Sequence, residues 1–185
     1  VDVERIREAV AAGVPALGEN RVQEAKAKVT ALGRPVPWHL VGHLQTNKVK
    51  DALELFDVIQ SLDRLALAEE LDRRAHASGR VVEAFLEVNV GGEPRKGGFA
   101  PDALGDALDA IARLGAIRVR GLMTIPPAGT PEEARGWFRA LGKLAERHGL
   151  AELSMGMSAD FEVAIEEGAT LVRVGTAIFG PRPLR

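Results

Sequence analysis

The sequence predicts a TIM-type (β/α)8 barrel, and three observations carry that expectation. Short apolar runs alternate with helical patterns along the whole chain, the signature of a parallel sheet covered by helices. Seven such runs can be read, near residues 15, 38, 58, 84, 120, 154 and 172, and the chain opens on a helix. The first strand of the barrel is therefore expected upstream of Val1. The last two runs, residues 153–160 and 171–180, both end in small, hydroxylic, glycine-containing residues. In a barrel these are the positions after strands seven and eight, where phosphates bind. An open doubly wound sheet is the competing architecture.

Residues 4–12 carry Ile6, Ala9 and Val10 at helical spacing, and Gly13 has the place of a helix-ending glycine. Residues 14–17 read as a strand that stops at Gly18, Glu19 and Asn20, and a polar helix follows to about Leu32. Residues 37–41 form the next strand, a short helix starts near Asn47, and residues 56–60 form the third strand. A helix over 63–78 places Leu65, Ala68, Leu71 and Ala75 on one face. Residues 81–90 are rich in Val, Leu and Phe and run into a Gly- and Pro-containing loop. Leu104, Leu108 and Ile111 line a helix before the strand at 117–125. Thr130, Pro131 and Glu133 have the form of a capping box, opening a helix with Ala134, Trp137, Phe138, Leu141 and Leu144 on one stripe. A strand at 153–155, a short helix through Phe161, Ala164 and Ile165, and a strand at 170–174 complete the pattern.

The 185 residues suffice for one domain with a sizeable core, and no linker or repeat divides residues 1–185. A net charge of −2 with mixed signs argues against a nucleic-acid or membrane-surface role. The absence of cysteine excludes disulfides, thiolate nucleophiles and zinc–thiolate sites. No long uncharged apolar run or signal peptide is visible, so a monomeric cytoplasmic protein is the expectation.

The two terminal loops suggest a site for a phosphorylated small molecule. Gly156 and Gly175 let the backbone approach an anion, Ser158 and Thr176 add hydroxyl donors, and helix N-termini favour negative charge. Ser154, Gly156, Met157 and Ser158 also fit an ordinary strand-to-helix turn with Ser158 as the cap. Arg173, two residues before Gly175, points into the same space if the strand is regular; the alternative is a structural ion pair. His39 and His43 lie four apart, but Gly42 interrupts helical geometry and no third ligand is evident, so no metal is expected. Asn20 either bonds a ligand oxygen or caps the next helix, and Lys96 reads as a solvated loop lysine. The polar group Glu19, Asn20, His39 and Lys48 shows no nucleophile spacing or paired-carboxylate pattern.

Five motifs, in one order over essentially the whole chain, resemble the pyridoxal 5′-phosphate homeostasis protein family, relatives of the alanine racemase barrel domain. They are residues 17–24, 38–48, 120–123, 153–160 and 173–180. The resemblance implies a fold type III barrel and pyridoxal 5′-phosphate as ligand. It implies that Ser154, Gly156, Met157, Ser158, Gly175 and Thr176 hold the phosphate, that Arg173 faces the pyridine nitrogen, and that Asn20, His39 and Met123 surround the ring. Lys96 is similar to the lysine of the family's Lys-x-Gly loop.

One feature departs from the family pattern. The family's cofactor-linking lysine lies at the end of strand one, and residues 1–4 begin about where that run should finish. None of Lys26, Lys28, Lys48, Lys50, Lys96 and Lys143 matches it, so no catalytic residue is assigned here. Either that segment lies upstream or the chain is truncated; a truncated chain would hold the cofactor non-covalently in a barrel with an open seam.

The implied function is storage or delivery of the cofactor, with cofactor-dependent apo-enzymes as recipients, without robust turnover. A cofactor-dependent amino-acid racemase is the alternative, and a sugar-phosphate lyase or isomerase on the same barrel is a third reading.

Overall fold

Seven parallel strands pair strictly in chain order in the computed structural model, which describes residues 1–181. They are β1 (Leu17–Glu19), β2 (Trp38–Leu40), β3 (Val58–Leu62), β4 (Val82–Glu87), β5 (Ile117–Met123), β6 (Glu152–Met157) and β7 (Leu171–Arg173). Among the described residues the helices α1 (Val3–Ala11), α2 (Val22–Leu32), α3 (Val49–Leu55), α4 (Leu65–Ala77), α5 (Leu104–Ala112), α6 (Pro131–Arg147), α7 (Phe161–Glu166) and α8 (Thr176–Phe179) alternate with them. A 3-10 turn, Thr46–Lys48, precedes α3. A doubly wound sheet reverses its strand order at a switch point; this one never does, and the result is a nearly closed TIM-type barrel. Among the described residues no strand joins β7 to β1.

Strand alternation sorts the apolar residues into two layers. Ile59, Ala84, Leu86, Leu122, Leu153 and Met155 join the large cluster shared with the helices. Their neighbours Val58, Phe85 and Met123 form a separate cluster with Ile125 on the opposite, lumen side of the strands. The pairing register breaks between β3 and β4, β4 and β5, and β6 and β7, the kind of irregularity that bends a strand locally.

Two local expectations need correction. The first strand is Leu17–Glu19, not residues 14–17: Pro15 has no N–H, and Val14 is still tied to helix α1 because its N–H donates to the Ala9 carbonyl. Leu65 is 40% exposed while Leu67 is fully buried, because α4 starts at Leu65 and its buried face is Leu67, Ala68, Leu71 and Ala75. The capping box at Thr130 and Glu133 is formed in both directions.

Candidate functional site

The C-terminal ends of the strands form one rim, and a chain of side chains crosses the lumen beneath it. Arg173 ends β7 and turns inward. Its Nη1 donates to Ser154 Oγ at 2.7 Å and its Nη2 to the Thr124 carbonyl at 2.7 Å. Ser154 donates in turn to Gln60 Oε1 at 2.6 Å, and Gln60 Nε2 lies 2.8 Å from His39 Nδ1. Thr124 Oγ1 donates to the Val88 carbonyl at 2.8 Å, which fixes the strand end that receives the guanidinium. Arg173 Nε is sealed from solvent and has no partner among the described residues. Burial pushes the Arg173 pKa down to about 10, with Glu87 and Asp160 opposing the shift, so the side chain remains a cation at neutral pH.

The loops after β6 and β7 meet at this rim. Ser158 Oγ accepts the backbone N–H groups of Gly175 and Ala177, each at 3.2 Å. Gly175 and Thr176 are exposed, and a side chain at Gly175 would meet only open space. Gly156 has a different task from close approach to an anion. Its φ is +89°, and a Cβ there would stand 2.5 Å from Ala164 Cβ, so it seats α7 against β6. Met157 is 37% exposed, but its amide donates to Asp160 Oδ1 at 2.6 Å. Ser158 does not cap α7, whose N-cap is Asp160. Ser154 is fully buried and bonded at both ends, so it belongs to the relay below the loop, not to an anion-binding surface.

The remaining expected residues lie on, or directly after, other strands of the barrel. Asn20 is exposed directly after β1, and the cap of α2 is Arg21, so Asn20 does not serve as the helix cap. Gly42 accommodates the Asn20 backbone: a Cβ there would lie 2.3 Å from the Asn20 carbonyl oxygen. His39 is buried, and burial together with Arg120 lowers its pKa. Met123 is fully buried on the lumen cluster. Lys96 is exposed, as expected of a loop lysine, and its Nζ also donates to the Pro126 carbonyl at 3.0 Å and pairs with Glu93. His43 leaves His39 and bonds Asp63 at 2.8 Å, and among the described residues no group of three His, Asp or Glu side chains is placed to hold a metal ion.

A model of the alanine racemase N-terminal domain matches residues 1–183. The chain is 47% identical to the pyridoxal phosphate homeostasis protein of Aquifex aeolicus, over 98% of this chain and 83% of that protein. The chain belongs to the pyridoxal phosphate homeostasis protein family. The family member of Pseudomonas aeruginosa is 43% identical over 96% of this chain and 79% of its own length. PipY of Synechococcus elongatus, whose structure was solved with pyridoxal phosphate bound, superposes with a TM-score of 0.86 at 43% identity, covering 96% of this chain and 87% of PipY. Alanine racemase of Clostridium difficile shares the fold at a TM-score of 0.79 and 17% identity, over 98% of this chain and 49% of the racemase.

Two polar residues of this family member's mouth escaped the sequence reading. Gln60 sits inside an apolar run whose pattern indicates only a strand, yet it is 1% exposed and joins the two halves of the relay. Glu87 ends β4 on the same side as the lumen residue Phe85. Burial, reinforced by Asp63, pushes its pKa up to about 6, against the opposing pull of Arg173, His43 and Lys96. The available signal was parity: Gln60 is two residues from Val58, and Glu87 two from Phe85, which marks both as inward-facing.

Proposed function

We propose that this chain binds pyridoxal 5′-phosphate at the barrel mouth and serves to store and deliver it without robust turnover. The observation that carries the reading is Arg173 Nε, a buried donor without a partner among the described residues, at the rim where the β6 and β7 loops converge. A buried unpaired N–H is unfavourable, and an acceptor on an entering ring would satisfy it. Membership of the family and the pyridoxal phosphate bound to PipY support the same assignment.

In this reading the Gly175 and Ala177 amides, with the hydroxyls of Ser158 and Thr176, hold the phosphate. Arg173 Nε meets the pyridine nitrogen, while Asn20, His39 and Met123 border the ring. The cofactor supplies, when bound, an aldehyde and a ring that can take up electrons. Arg173 stays protonated, so it disfavours a second positive charge on the nitrogen it faces. The site is thereby kept away from strong electron withdrawal. The chain contains no tyrosine to act as a proton donor on the far side of the ring. Apo-enzymes that need the cofactor are the recipients in this reading.

Titration of the protein with pyridoxal phosphate tests it: saturable change in the ligand's absorbance is expected, and none would refute it. The racemase reading is favoured by the shared fold and by an arginine at the ring nitrogen. Sustained loss of chirality in free amino acids, measured with the loaded protein, would replace storage by that activity.

A further inference from the structure

The relay under the mouth has a direction, and the direction is set at one end. Arginine has only donors, so Ser154 Oγ must accept from Arg173 Nη1. The serine proton is then free for Gln60 Oε1, 2.6 Å away. With its carbonyl engaged, the Gln60 amide presents Nε2 to His39 Nδ1 at 2.8 Å, and that nitrogen has to accept. The imidazole proton is left on Nε2. Reversing the amide would set Gln60 Nε2 against a serine oxygen already accepting from Arg173 and deprive the buried serine proton of its acceptor. The contact between Ser154 and Gln60 joins residues 94 apart in the chain, from β6 to β3 across the lumen. It therefore couples Arg173 on β7 to His39 on β2.

We propose that Gln60 is the positioning residue of this site, locking Arg173 and His39 together as hydrogen-bond donors toward the ligand. Arg173 offers Nε, and neutral His39 offers its Nε2 proton. A mouth so arranged selects a heteroaromatic ring with acceptors on its edge and works against a pyridinium or N-alkylated ring. The identity of the ligand rests on the cofactor reading above; the state of His39 does not.

The charged groups acting on His39 are Arg120 on β5, Asp57 just before β3, Glu83 on β4 and Glu152 on β6. Burial and Arg120 favour the neutral ring, and the three carboxylates oppose them.

Nitrogen-15 NMR of the histidine-labelled full chain, with His39 assigned through a His39→Gln spectrum, reads the tautomer directly. The expected result is a neutral ring with an unprotonated Nδ1. A protonated Nδ1 in the wild-type neutral ring overturns the proposal. Gln60→Glu places an acceptor at both ends, so His39 should take a second proton and its titration midpoint should rise above about 7. An unmoved midpoint also overturns it. Under the cofactor reading, Gln60→Leu weakens pyridoxal phosphate binding about tenfold. If the wild-type protein shows the expected tautomer and midpoint shift but binds no pyridoxal phosphate, the lock stands and the cofactor reading falls.

Discussion

Ser158 and Gly175 tie the ends of two neighbouring strands together, the serine hydroxyl accepting the glycine amide at 3.2 Å. The same oxygen accepts from Ala177 at 3.2 Å. Two N–H groups converging on one oxygen are what a phosphate oxygen requires, and here a side chain from the adjacent loop already sits among them.

A carboxylate at this position would take both amides and repel an incoming anion. Ser158→Asp should fold normally and bind pyridoxal phosphate about a hundredfold more weakly, as like charges at close range cost several kcal/mol. Ser158→Ala should weaken binding about tenfold, through loss of one hydroxyl. Absorbance titration distinguishes the two; equal affinities for both variants and the wild type would place the phosphate elsewhere.

In the proposed pose Arg173 acts on the ring, not on the phosphate. Arg173→Ala should change the absorbance spectrum of bound pyridoxal phosphate and reduce affinity by about tenfold or more. An unchanged spectrum in a protein that still binds would remove the contact at Nε.

Glu87 gives the fold a pH dependence whose sign is fixed. Its folded pKa, about 6, lies above the ordinary 4.5, so its contribution to stability is complete below 4.5 and is lost as pH rises through about 6. The loss amounts to about 2 kcal/mol. Glu87→Gln should match the wild type at low pH and exceed it in stability at pH 8, by up to about 2 kcal/mol. Urea unfolding across that range checks it, and a variant less stable than wild type at pH 8 would contradict it.

Gly156→Ala should destabilise by about 3 kcal/mol, since the added methyl meets Ala164 at 2.5 Å and the backbone is at φ +89°. Urea unfolding measures the loss, and a change near zero would mean that α7 can move off β6 without penalty.

Strand ends were legible in the sequence because apolar runs stop at small or polar residues, as at Gly42 and Asn89, whatever the rest of the chain does. The adjacency of the β6 and β7 loops followed from strand order alone. Ser154 was not legible in the same way: it lies within β6 and faces inward, and its partners Gln60 and Arg173 come from opposite sides of the lumen. No local pattern reports a bond between β3 and β6. The bond from the exposed Lys96 to the Pro126 carbonyl was not legible for a similar reason, since that acceptor lies 30 residues away on another loop. Leu65 and Leu67 show the finer limit, where the first turn of a helix decides which of two leucines is buried.

The central claim is a single pose, with the phosphate on the β6 and β7 loops and the ring nitrogen on Arg173 Nε. A crystal structure of the protein grown with pyridoxal phosphate tests it most directly. The account predicts phosphate density within hydrogen-bond distance of the Gly175 and Ala177 amides, and the pyridine nitrogen within hydrogen-bond distance of Arg173 Nε. A ligand bound with its phosphate away from those amides, or with the Arg173 guanidinium turned out of the lumen, would contradict it.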